Sequence, residues 1–430
     1  MDMTLFNKGL LDFLQQSPTP FHAVAAMQTE LDDQGFNKLE ESASWGELQP
    51  GRYYVTRNDS SLIAFVVGSE SVTETGLRLV GAHTDSPCLK VKPKPEINSQ
   101  GYFQLGVEVY GGALLNPWFD RDLSLTGKVV YRNGDGKLCK TLVNFDRPVA
   151  IIPSLAIHLD REANKDRTIN PQTDIPPVIF QAGDGRETDF RKLLADAFVE
   201  IDGEVLEYDL FFYDCAQPSI VGLYDEFIAS ARLDNLLSCY TGLQSLLESD
   251  GSVTAILVCN DHEEVGSMSA CGAQGPMLKD LLARLLPNQD QRSVVLANSL
   301  MVSADNAHGV HPNYSDKHDN NHGPVLNRGP VIKINGNQRY ATSSETASLF
   351  RQLAQQVDAE TQVFVNRTDL GCGSTIGPIT AAEIGVATLD VGVPTFAMHS
   401  IRELAGVEDA HALYRVLSAF NNCRKPLRIV

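Results

Sequence analysis

The sequence has no long hydrophobic run and no closely spaced cysteine pair. None of its apolar segments is long enough to span a bilayer, and the first eight residues, Met1 to Lys8, lack a basic stretch followed by an apolar one. We therefore expect neither a membrane helix nor a signal peptide. The eight cysteines include no Cys-x-x-Cys pair, and a chain of 430 residues does not depend on disulfides for its stability. We expect reduced thiols and a cytoplasmic location.

Basic residues are also scarce. The sequence has 35 lysines and arginines against 54 aspartates and glutamates, which gives a formal net charge of −19. This balance argues against nucleic acid or an anionic membrane as a partner. It would also repel acidic peptides, so a preference for such substrates requires cations close to the site.

Two common signatures are missing as well. The glycine-rich segment from Asp369 to Thr375 lacks the spacing of a dinucleotide fingerprint or a P-loop. Ser86 has no nearby base and no nucleophile-elbow context, which argues against serine catalysis.

His318 and His322 have the spacing of helical ligands, but their polar surroundings favour a surface or interface loop.

The sequence does have a pair of adjacent carboxylates after an apolar run. Glu263 and Glu264 follow Val253 to Cys259, which has the composition of a buried strand. The loop after such a strand is a common place for catalytic groups in an open α/β sheet. Two neighbouring glutamates on a turn point in different directions, so one can ligate a metal while the other takes a proton from water. A solvated acidic turn is the alternative unless further ligands occur elsewhere.

Four further candidate ligands lie at the edges of apolar segments. His83 and Asp305 each follow a strand-like run, and His399 comes shortly after another. Asp234 precedes an amphipathic stretch, which predicts a position near a helix N-terminus. Because the ends of neighbouring strands meet at one edge of a sheet, we expect these side chains to converge.

Together with one glutamate, these residues form a donor set that suits two divalent ions. Two imidazoles and three carboxylates are available if the set is His83, Asp234, Glu264, Asp305 and His399. If Asp234 bridges, each ion receives one histidine, one private carboxylate and the shared carboxylate, with a position left for water.

Two more acids are predicted to assist this centre without ligating it. Glu263 stays outside the donor set and can act as the general base and acid. Asp85 lies two residues after His83 and is placed to accept a hydrogen bond from an imidazole N–H. We therefore predict catalytic roles for Glu263 and Asp85.

Five segments, in order, resemble the motif set of the M18 metallopeptidases, the aspartyl aminopeptidases. They are AHTDSP (82–87), RLDN (232–235), EEVGS (263–267), SADNAH (303–308) and AMHS (397–400). The resemblance extends from Ser17 to the C-terminus. It implies a site with two zinc ions, for which cobalt and manganese are alternatives, held by the five ligands above. It also implies Glu263 as the base and removal of the N-terminal residue from peptides.

The resemblance further implies residues that bind the peptide substrate. The matching positions are His308, Lys333, Tyr340 and His158. Lys333 is the candidate cation for reading an acidic first residue, and a solvated strand lysine is the alternative for that position. A different assignment would make His83, His158 and His399 the zinc ligands. We prefer the carboxylate-rich set because it accounts for two metals and for every acid at a strand end.

His158 also bears on assembly. In the family, the histidine that matches His158 comes from a neighbouring subunit, which implies a homo-oligomer and, by resemblance, a tetrahedral homododecamer. The alternative is that the segment around His158 caps its own active site, with the histidine acting in cis. Sequence alone supports no particular oligomer size.

The order of elements predicts an α/β fold of the metal-dependent aminopeptidase type, with a three-layer catalytic domain and an inserted, mostly β oligomerisation domain. Short alternating runs lie between Lys92 and Ala231, with Lys92–Pro95 as their opening and Asn133–Gly136 as a hairpin turn. On either side, helical stripes and βα alternation prevail. We predict a discontinuous catalytic domain of residues 1–91 and 232–430 and an insert of residues 92–231.

Two other functions remain open at this point. A metal-dependent carboxypeptidase or amidohydrolase could use the same ligands, but it would accept peptides with a blocked N-terminus. A non-enzymatic oligomeric scaffold could keep a metal for stability, yet it would not need Glu263 as a spare base.

Overall fold

The computed structural model describes residues 1–183, 185–425 and 427, and contacts divide them into two compact units. The first unit contains Met1–Asp85, Pro218–Met398 and the described residues from Glu403 onward. The second contains the described residues of Ser86–Gln217 together with His399–Arg402. The chain therefore leaves the first unit twice and returns to it both times.

Ten α-helices lie in the described residues. They are α1 (Met3–Gln16), α2 (Pro20–Asp33), α3 (Val72–Thr75), α4 (Phe190–Ala197), α5 (Leu233–Leu247), α6 (Met277–Leu285), α7 (Gln289–Ala297), α8 (Ser344–Gln356), α9 (Ile376–Ile384) and α10 (Asp409–Asn421). Pro20 is the first residue of α2, where its missing N–H breaks no helical hydrogen bond. Short 3₁₀ turns occur at Asn116–Trp118, Glu263–Val265 and Ser315–Lys317.

The described strands form three sheets. In chain order they are β1 (Asn37–Lys38), β2 (Gly51–Arg57), β3 (Ser61–Val67), β4 (Arg78–His83), β5 (Cys88–Ser99), β6 (Tyr102–Tyr110), β7 (Leu123–Asn133), β8 (Leu138–Asn144), β9 (Val178–Gln181), β10 (Gly203–Asp214), β11 (Ser219–Val221), β12 (Phe227–Ser230), β13 (Ala255–Asn260), β14 (Leu300–Ala304), β15 (Ala307–His308), β16 (Val331–Ile334), β17 (Gln362–Val365), β18 (Ala387–Gly392), β19 (Pro394–Phe396) and β20 (Glu403–Gly406).

A nine-stranded sheet forms the middle layer of the first unit, with strand order β1-β2-β3-β13-β4-β14-β18-β16-β17. Alternate residues of its strands enter two separate cores, as the two-residue period of a strand requires. For example, Leu257 packs in the core that contains α1, α2, α5, α8 and α10, while Ile256 packs in the core that contains residues of α6, α7 and α9. The predicted three-layer α/β class is confirmed.

The central strands of this sheet explain why the candidate site residues converge. Strands β13, β4, β14 and β18 run parallel to one another, and β4 lies between β13 and β14. The chain leaves the carboxyl ends of β4, β13 and β14 within a few residues of His83, Glu263 and Asp305. Loops that follow adjacent parallel strands meet at one edge of the sheet. A smaller sheet of the same unit has the order β11-β12-β20-β19-β15. Its strands β15 and β19 directly follow β14 and β18 in the chain.

The second unit is built on a six-stranded antiparallel sheet in the order β8-β7-β10-β5-β6-β9. Its apolar side packs with Phe190 and Leu194 of α4 around the buried Trp118. The predicted hairpin turn at Asn133–Gly136 joins β7 to β8. The mostly β character predicted for this part of the chain is therefore present.

The segment Lys92–Pro95 differs from its prediction. It lies inside β5, which begins at Cys88, and the pairing of β5 with β6 is irregular between Val91 and Glu96. The reason is that proline has no N–H to donate to the ladder, so the strand continues across the two prolines with a break in its hydrogen bonds.

The unit boundaries stand near the predicted ones. The contact division places them after Asp85 and after Gln217, and it adds the short segment His399–Arg402 to the second unit. Strands β11 and β12 precede the predicted return at residue 232, but β12 pairs with β20 in the first unit and β11 pairs with β12. The domain limits of residues 91 and 231 stay a prediction. No helix in the described part of the chain is both long and apolar enough to cross a membrane.

Candidate metal and catalytic site

The two adjacent glutamates lie on a turn that Asp85 holds in place. The turn Glu263–Val265 begins after His262, which has a left-handed φ of 64°, and ends before Gly266, which has φ of 97°. The buried carboxylate of Asp85 accepts hydrogen bonds from the backbone N–H of Glu263 and from that of Glu264, each at 3.1 Å. Both glutamates are therefore fixed through their backbone, which leaves their carboxylates for chemistry.

His83 is the centre of the acidic cluster, with only 1% of its surface exposed. Its Nδ1 lies 3.0 Å from the Asp85 carbonyl oxygen and 3.3 Å from the Asp85 Oδ1. Its Nε2 lies 3.5 Å from Asp234 Oδ1, 3.5 Å from Asp305 Oδ1 and 3.9 Å from Glu263 Oε2. If Nδ1 donates to Asp85, the lone pair of Nε2 faces carboxylates, an arrangement that favours a cation between them.

The charge state of His83 reflects the same crowding. Burial by itself lowers the pKa of His83, but the carboxylates of Asp234, Asp305 and Asp85 outweigh it and raise the pKa well above its ordinary value. A proton on this imidazole and a metal ion bound to it compete for the same negative surroundings. The site is therefore built to hold positive charge.

The donor set fits divalent cations. In each of two groups, His83 with Asp234 and Asp305, and His83 with Glu263 and Glu264, one nitrogen or oxygen ligand atom per residue lies within 4.8 Å of the others. Imidazole nitrogen and carboxylate oxygen are ligands that zinc, cobalt and manganese all accept. Several buried carboxylates around one imidazole would repel one another without a cation.

Asp234 reaches the cluster from the start of α5. The preceding Arg232 has a left-handed φ of 61°, and its guanidinium donates to the carbonyl oxygens of Ser17 and Leu14. The backbone N–H of Asp234 donates to Glu403 Oε2 at 3.0 Å. A left-handed non-glycine residue costs about 1–2 kcal/mol, so this entry to the helix is held by its neighbours.

The two glutamates also differ from ordinary surface acids in their protonation. Burial is the largest cause that raises the pKa of Glu263, and the carboxylates of Asp305 and Asp234 add to it against the effect of His83, so that the pKa is about 7. Burial and the Asp234 carboxylate raise the pKa of Glu264 well above its usual range. A carboxylate that titrates near neutral pH is suited to accept a proton and return it.

Lys333 is not the solvated lysine that the sequence left open. It is 2% exposed, and its Nζ donates to Asp305 Oδ2 and to the carbonyl oxygen of Asn306, each at 3.1 Å. The ammonium also lies 5.1 Å from the centre of the Tyr340 ring. Lys333 therefore fixes the Asp305 carboxylate, and Tyr340 covers the lysine.

The remaining predicted site histidines have different surroundings. His308 lies on β15, and its ring centre is 5.7 Å from that of Phe364. Burial, with Lys333 nearby, lowers the pKa of His308. In the second unit, His399 has a left-handed φ of 67°, and its Nδ1 lies 3.2 Å from the carbonyl oxygen of Gly112. A hydrogen bond from Nδ1 to that carbonyl makes Nε2 the nitrogen with the lone pair.

His158 lies on the surface of the second unit. It belongs to residues 153–177, which contain no helix or strand and which we call the 153–177 segment. The segment is attached to its own unit by the Ser154 N–H, which donates to Asp120 Oδ1 at 2.8 Å, and by the buried Ile175. His158 is exposed between these anchors.

Sequence reasoning missed three features of the site. It did not identify Glu403 as the acceptor for the Asp234 N–H, the pairing of Lys333 with Asp305, or the left-handed residues before the ligand loops. Glycine would have signalled a left-handed position, but arginine and histidine at 232 and 262 carry no such signal. For Lys333, the apolar neighbours Ile332 and Ile334 on a short strand were the available hint of burial.

The sequence is similar to known aminopeptidases. A family model described as "Aminopeptidase I zinc metalloprotease (M18)" matches residues 13–421. A protein of Pseudomonas putida (strain GB-1), described as "Probable M18 family aminopeptidase 2", is 59% identical over 423 residues, with 97% of this chain and 98% of that protein covered. A protein of the same description from Ectopseudomonas mendocina (strain ymp) is 61% identical over 417 residues, with 96% and 97% covered.

The fold is similar to solved structures as well. A chain in a cryo-EM structure of the Ape4 and Nbr1 complex has a TM-score of 0.94 and 38% identity, with 97% of this chain and 85% of that chain covered. The M18 aminopeptidase of Thermotoga maritima has a TM-score of 0.86 and 25% identity, with 98% and 96% covered. The mApe1 dodecamer of S. cerevisiae has a TM-score of 0.83 and 26% identity, with 97% and 96% covered.

Proposed function

Because the chain belongs to the M18 family of zinc aminopeptidases, we propose that it is a two-metal aminopeptidase that removes Asp or Glu from the N-terminus of peptides. The observation that carries the two-metal proposal is the position of His83. Its buried Nε2 lies within 3.9 Å of carboxylate oxygens from Asp234, Asp305 and Glu263, which come from three separate parts of the chain.

The proposed ligands divide between the two ions. We assign His83 and Asp305 to one ion, Glu264 and His399 to the other, and Asp234 to both. When bound, the ions supply Lewis-acid polarisation of the scissile carbonyl and activate water as the nucleophile. Zinc is the ion that the family description names, and cobalt and manganese accept the same ligands.

Proton transfer is assigned to Glu263. Its carboxylate takes a proton from the attacking water and later delivers it to the nitrogen of the leaving peptide. Its Oε2 lies 3.9 Å from His83 Nε2, beside the acidic cluster, so the carboxylate has the position that both steps need. Asp85 is a positioning residue in this proposal, since it holds the backbone N–H of Glu263 and of Glu264 and fixes the His83 imidazole.

The proposed substrate contacts follow from the family resemblance and from local surroundings. We assign the developing oxyanion to His308, which follows Asp305 by three residues. Lys333 and Tyr340 border the acidic cluster through the contact of Lys333 with Asp305. The net charge of −19 disfavours an acidic peptide, so a preference for one depends on such local donors.

We further propose that the active assembly is a homo-oligomer, in which His158 reaches the site of a neighbouring subunit. Among the solved structures of similar fold, mApe1 is described as a dodecamer. His158 is flanked by the exposed apolar side chains of Leu155, Ile157 and Leu159, the last of them 75% exposed. Contiguous apolar surface of this kind is typical of a protein interface.

The state of the cysteines supports a proposal for the cellular compartment. All eight lie in the described residues, and all eight are free thiols. Free thiols in this number are typical of a reducing environment, so we propose that the enzyme acts in the cytoplasm.

A panel of aminoacyl p-nitroanilides tests the proposed function. The purified protein, its chelated form and the chelated form with zinc, cobalt or manganese restored are compared on Asp, Glu, Leu and Ala derivatives. We expect metal-dependent release that favours Asp and Glu. Release that favours Leu would keep the chemistry and refute the acidic preference. Cleavage of N-acetylated peptides would instead indicate a carboxypeptidase or amidohydrolase.

A further inference from the structure

A cavity in the first unit lies along β15 and β19, and one of its walls is His308, three residues after Asp305. It has a volume of about 320 Å³, and its walls include three imidazoles and a lysine. These side chains are His308, His311, His318 and Lys317, and backbone of the loop from Phe396 to Met398 completes the wall. A cavity of this size can take an amino-acid side chain together with part of its backbone.

Two of the three imidazoles, those of His308 and His318, contact the same aromatic ring. The ring centre of Phe364 lies 5.7 Å from that of His308, 6.5 Å from that of His318 and 6.5 Å from that of Tyr340, in each case edge to face. Tyr340 in turn lies against Lys333, which binds Asp305. Phe364 therefore connects the acidic cluster, through Tyr340, to the His318 side of the cavity.

His318 has hydrogen-bonding capacity that the described residues do not use. Its Nδ1 is buried and has no hydrogen-bond partner among the described residues. Burial, followed by the neighbouring His311, lowers the pKa of His318, which favours the neutral imidazole. A buried nitrogen without a partner is costly unless a ligand supplies one.

The lysine at the mouth of the cavity is more available than Lys333. The ammonium of Lys333 already donates to Asp305 and to the Asn306 carbonyl oxygen, and it lies over the Tyr340 ring. Lys317 is exposed, and its Nζ lies 3.9 Å from Asp316 Oδ2, which is too long for a hydrogen bond. An incoming carboxylate could thus pair with Lys317 without breaking a strong contact.

We propose that His318 and Lys317 read the side-chain carboxylate of the substrate's first residue, and that Lys333 serves to position Asp305. The inference rests on the proposed aminopeptidase function and its acidic preference, and it names the residues that produce that preference. His318 donates from its ring nitrogen, Lys317 supplies the charge, and Phe364 forms the apolar floor. This combination favours Asp and Glu over their amides because an amide gains neither the ion pair nor a charge-assisted hydrogen bond.

The test compares Asp-p-nitroanilide with Asn-p-nitroanilide, which have the same shape and differ in charge. The ratio of their kcat/KM values is measured for the wild type, H318A, K317Q and the control H322Q. His322 belongs to the same loop and pairs with Asp319, but it does not line the cavity. Inhibition by free L-aspartate and L-asparagine gives a second readout that needs no turnover.

We expect H318A and K317Q each to lower the Asp/Asn ratio by about tenfold, with the Asn rate nearly unchanged, and H322Q to keep the wild-type ratio. Inhibition by aspartate should weaken in parallel. A ratio that stays at the wild-type value in both H318A and K317Q would overturn the inference and leave the acidic preference standing. A wild-type ratio near one would overturn the acidic preference itself, and this inference with it.

Discussion

Two histidines that the sequence presents alike, His83 and His158, occupy opposite environments. His83 lies at the end of a central strand, almost fully buried, with its two ring nitrogens directed at Asp85 and at a set of carboxylates. His158 is exposed in the 153–177 segment, between two attachments to its own unit. The cluster around His83 is formed by residues of one chain, whereas the segment has an exposed histidine flanked by exposed apolar side chains. The buried cluster around His83 is thus the proposed place of metal binding and catalysis, and the exposed His158 is the proposed contact with a neighbouring subunit.

Among the changes proposed here, metal removal should have the largest effect on activity, because the cluster around His83 is the proposed metal site. A chelator should abolish turnover, a loss of about 10⁴-fold or more, because the nucleophile loses its activation. It should also lower the melting temperature, since the carboxylates around His83 then repel one another. Activity assays and thermal melts before and after restoring zinc, cobalt or manganese check both points. A chelated protein with full activity and an unchanged melting temperature would contradict the account of this region.

A change in the exposed 153–177 segment should affect activity but not stability. His158→Ala should lower kcat/KM by about 100-fold while leaving the melting temperature unchanged, because the side chain is outside any core. Arg161→Ala, a neighbouring exposed change, is the matched control and should retain activity.

Mixed assemblies then separate action in trans from action in cis. When H158A and E263Q subunits are co-expressed in equal amounts, a site is complete if an H158A subunit receives His158 from an E263Q neighbour. Activity should then return to about a quarter of the wild-type value. If both homogeneous variants and their mixture remain inactive, His158 acts within its own chain.

Substitution of Asp85 tests whether this carboxylate positions the metal ligands, and its expected effect is smaller than that of metal removal. Asp85→Asn keeps the size of the side chain but weakens its hold on the two glutamate N–H groups and on His83, so metal affinity should fall about 10- to 100-fold. Asp409→Asn is the matched control, since Asp409 is also buried and accepts from backbone N–H groups, those of Asn327 and Gly329. Metal titration by calorimetry should show the loss in D85N alone.

Asp409 itself gives the smallest predicted effect. Burial raises the pKa of Asp409 from 3.8 to about 7. A raised carboxyl pKa stabilises the fold while the group is protonated, and that stability is lost as pH rises from about 4 to about 7 because the unfolded chain ionises first. The melting temperature of the wild type relative to D409N should therefore fall by about 2–4 °C across this range. A difference that does not vary with pH would show that Asp409 ionises normally in the folded chain.

The sequence predicted the buried region more fully than the exposed one, for physical reasons. Apolar runs before His83, Glu263 and Asp305 mark buried strands, and parallel strands place their ends together, so the cluster could be anticipated. The long-range contacts could not, because nothing in a local pattern says that Lys333 meets Asp305 or that Glu403 meets the Asp234 N–H.

The second unit shows the limit of local patterns most clearly. Its short alternating runs predicted β structure, and strands formed there. The sequence predicts that Lys92–Pro95 opens these runs, whereas β5 begins at Cys88 and continues through both prolines with irregular pairing. The function of His158 lies beyond any single-chain pattern, since its proposed partner is on another subunit.

We propose that the adjacent glutamates on one turn have separate tasks, with Glu263 for proton transfer and Glu264 for metal binding. It is tested most directly by measuring metal content and kcat in parallel for Glu263→Gln and Glu264→Gln. We expect E263Q to keep the wild-type metal content and to lose kcat by about 10³-fold or more, and E264Q to bind less metal. Loss of metal in E263Q, or turnover close to that of the wild type, would contradict the claim.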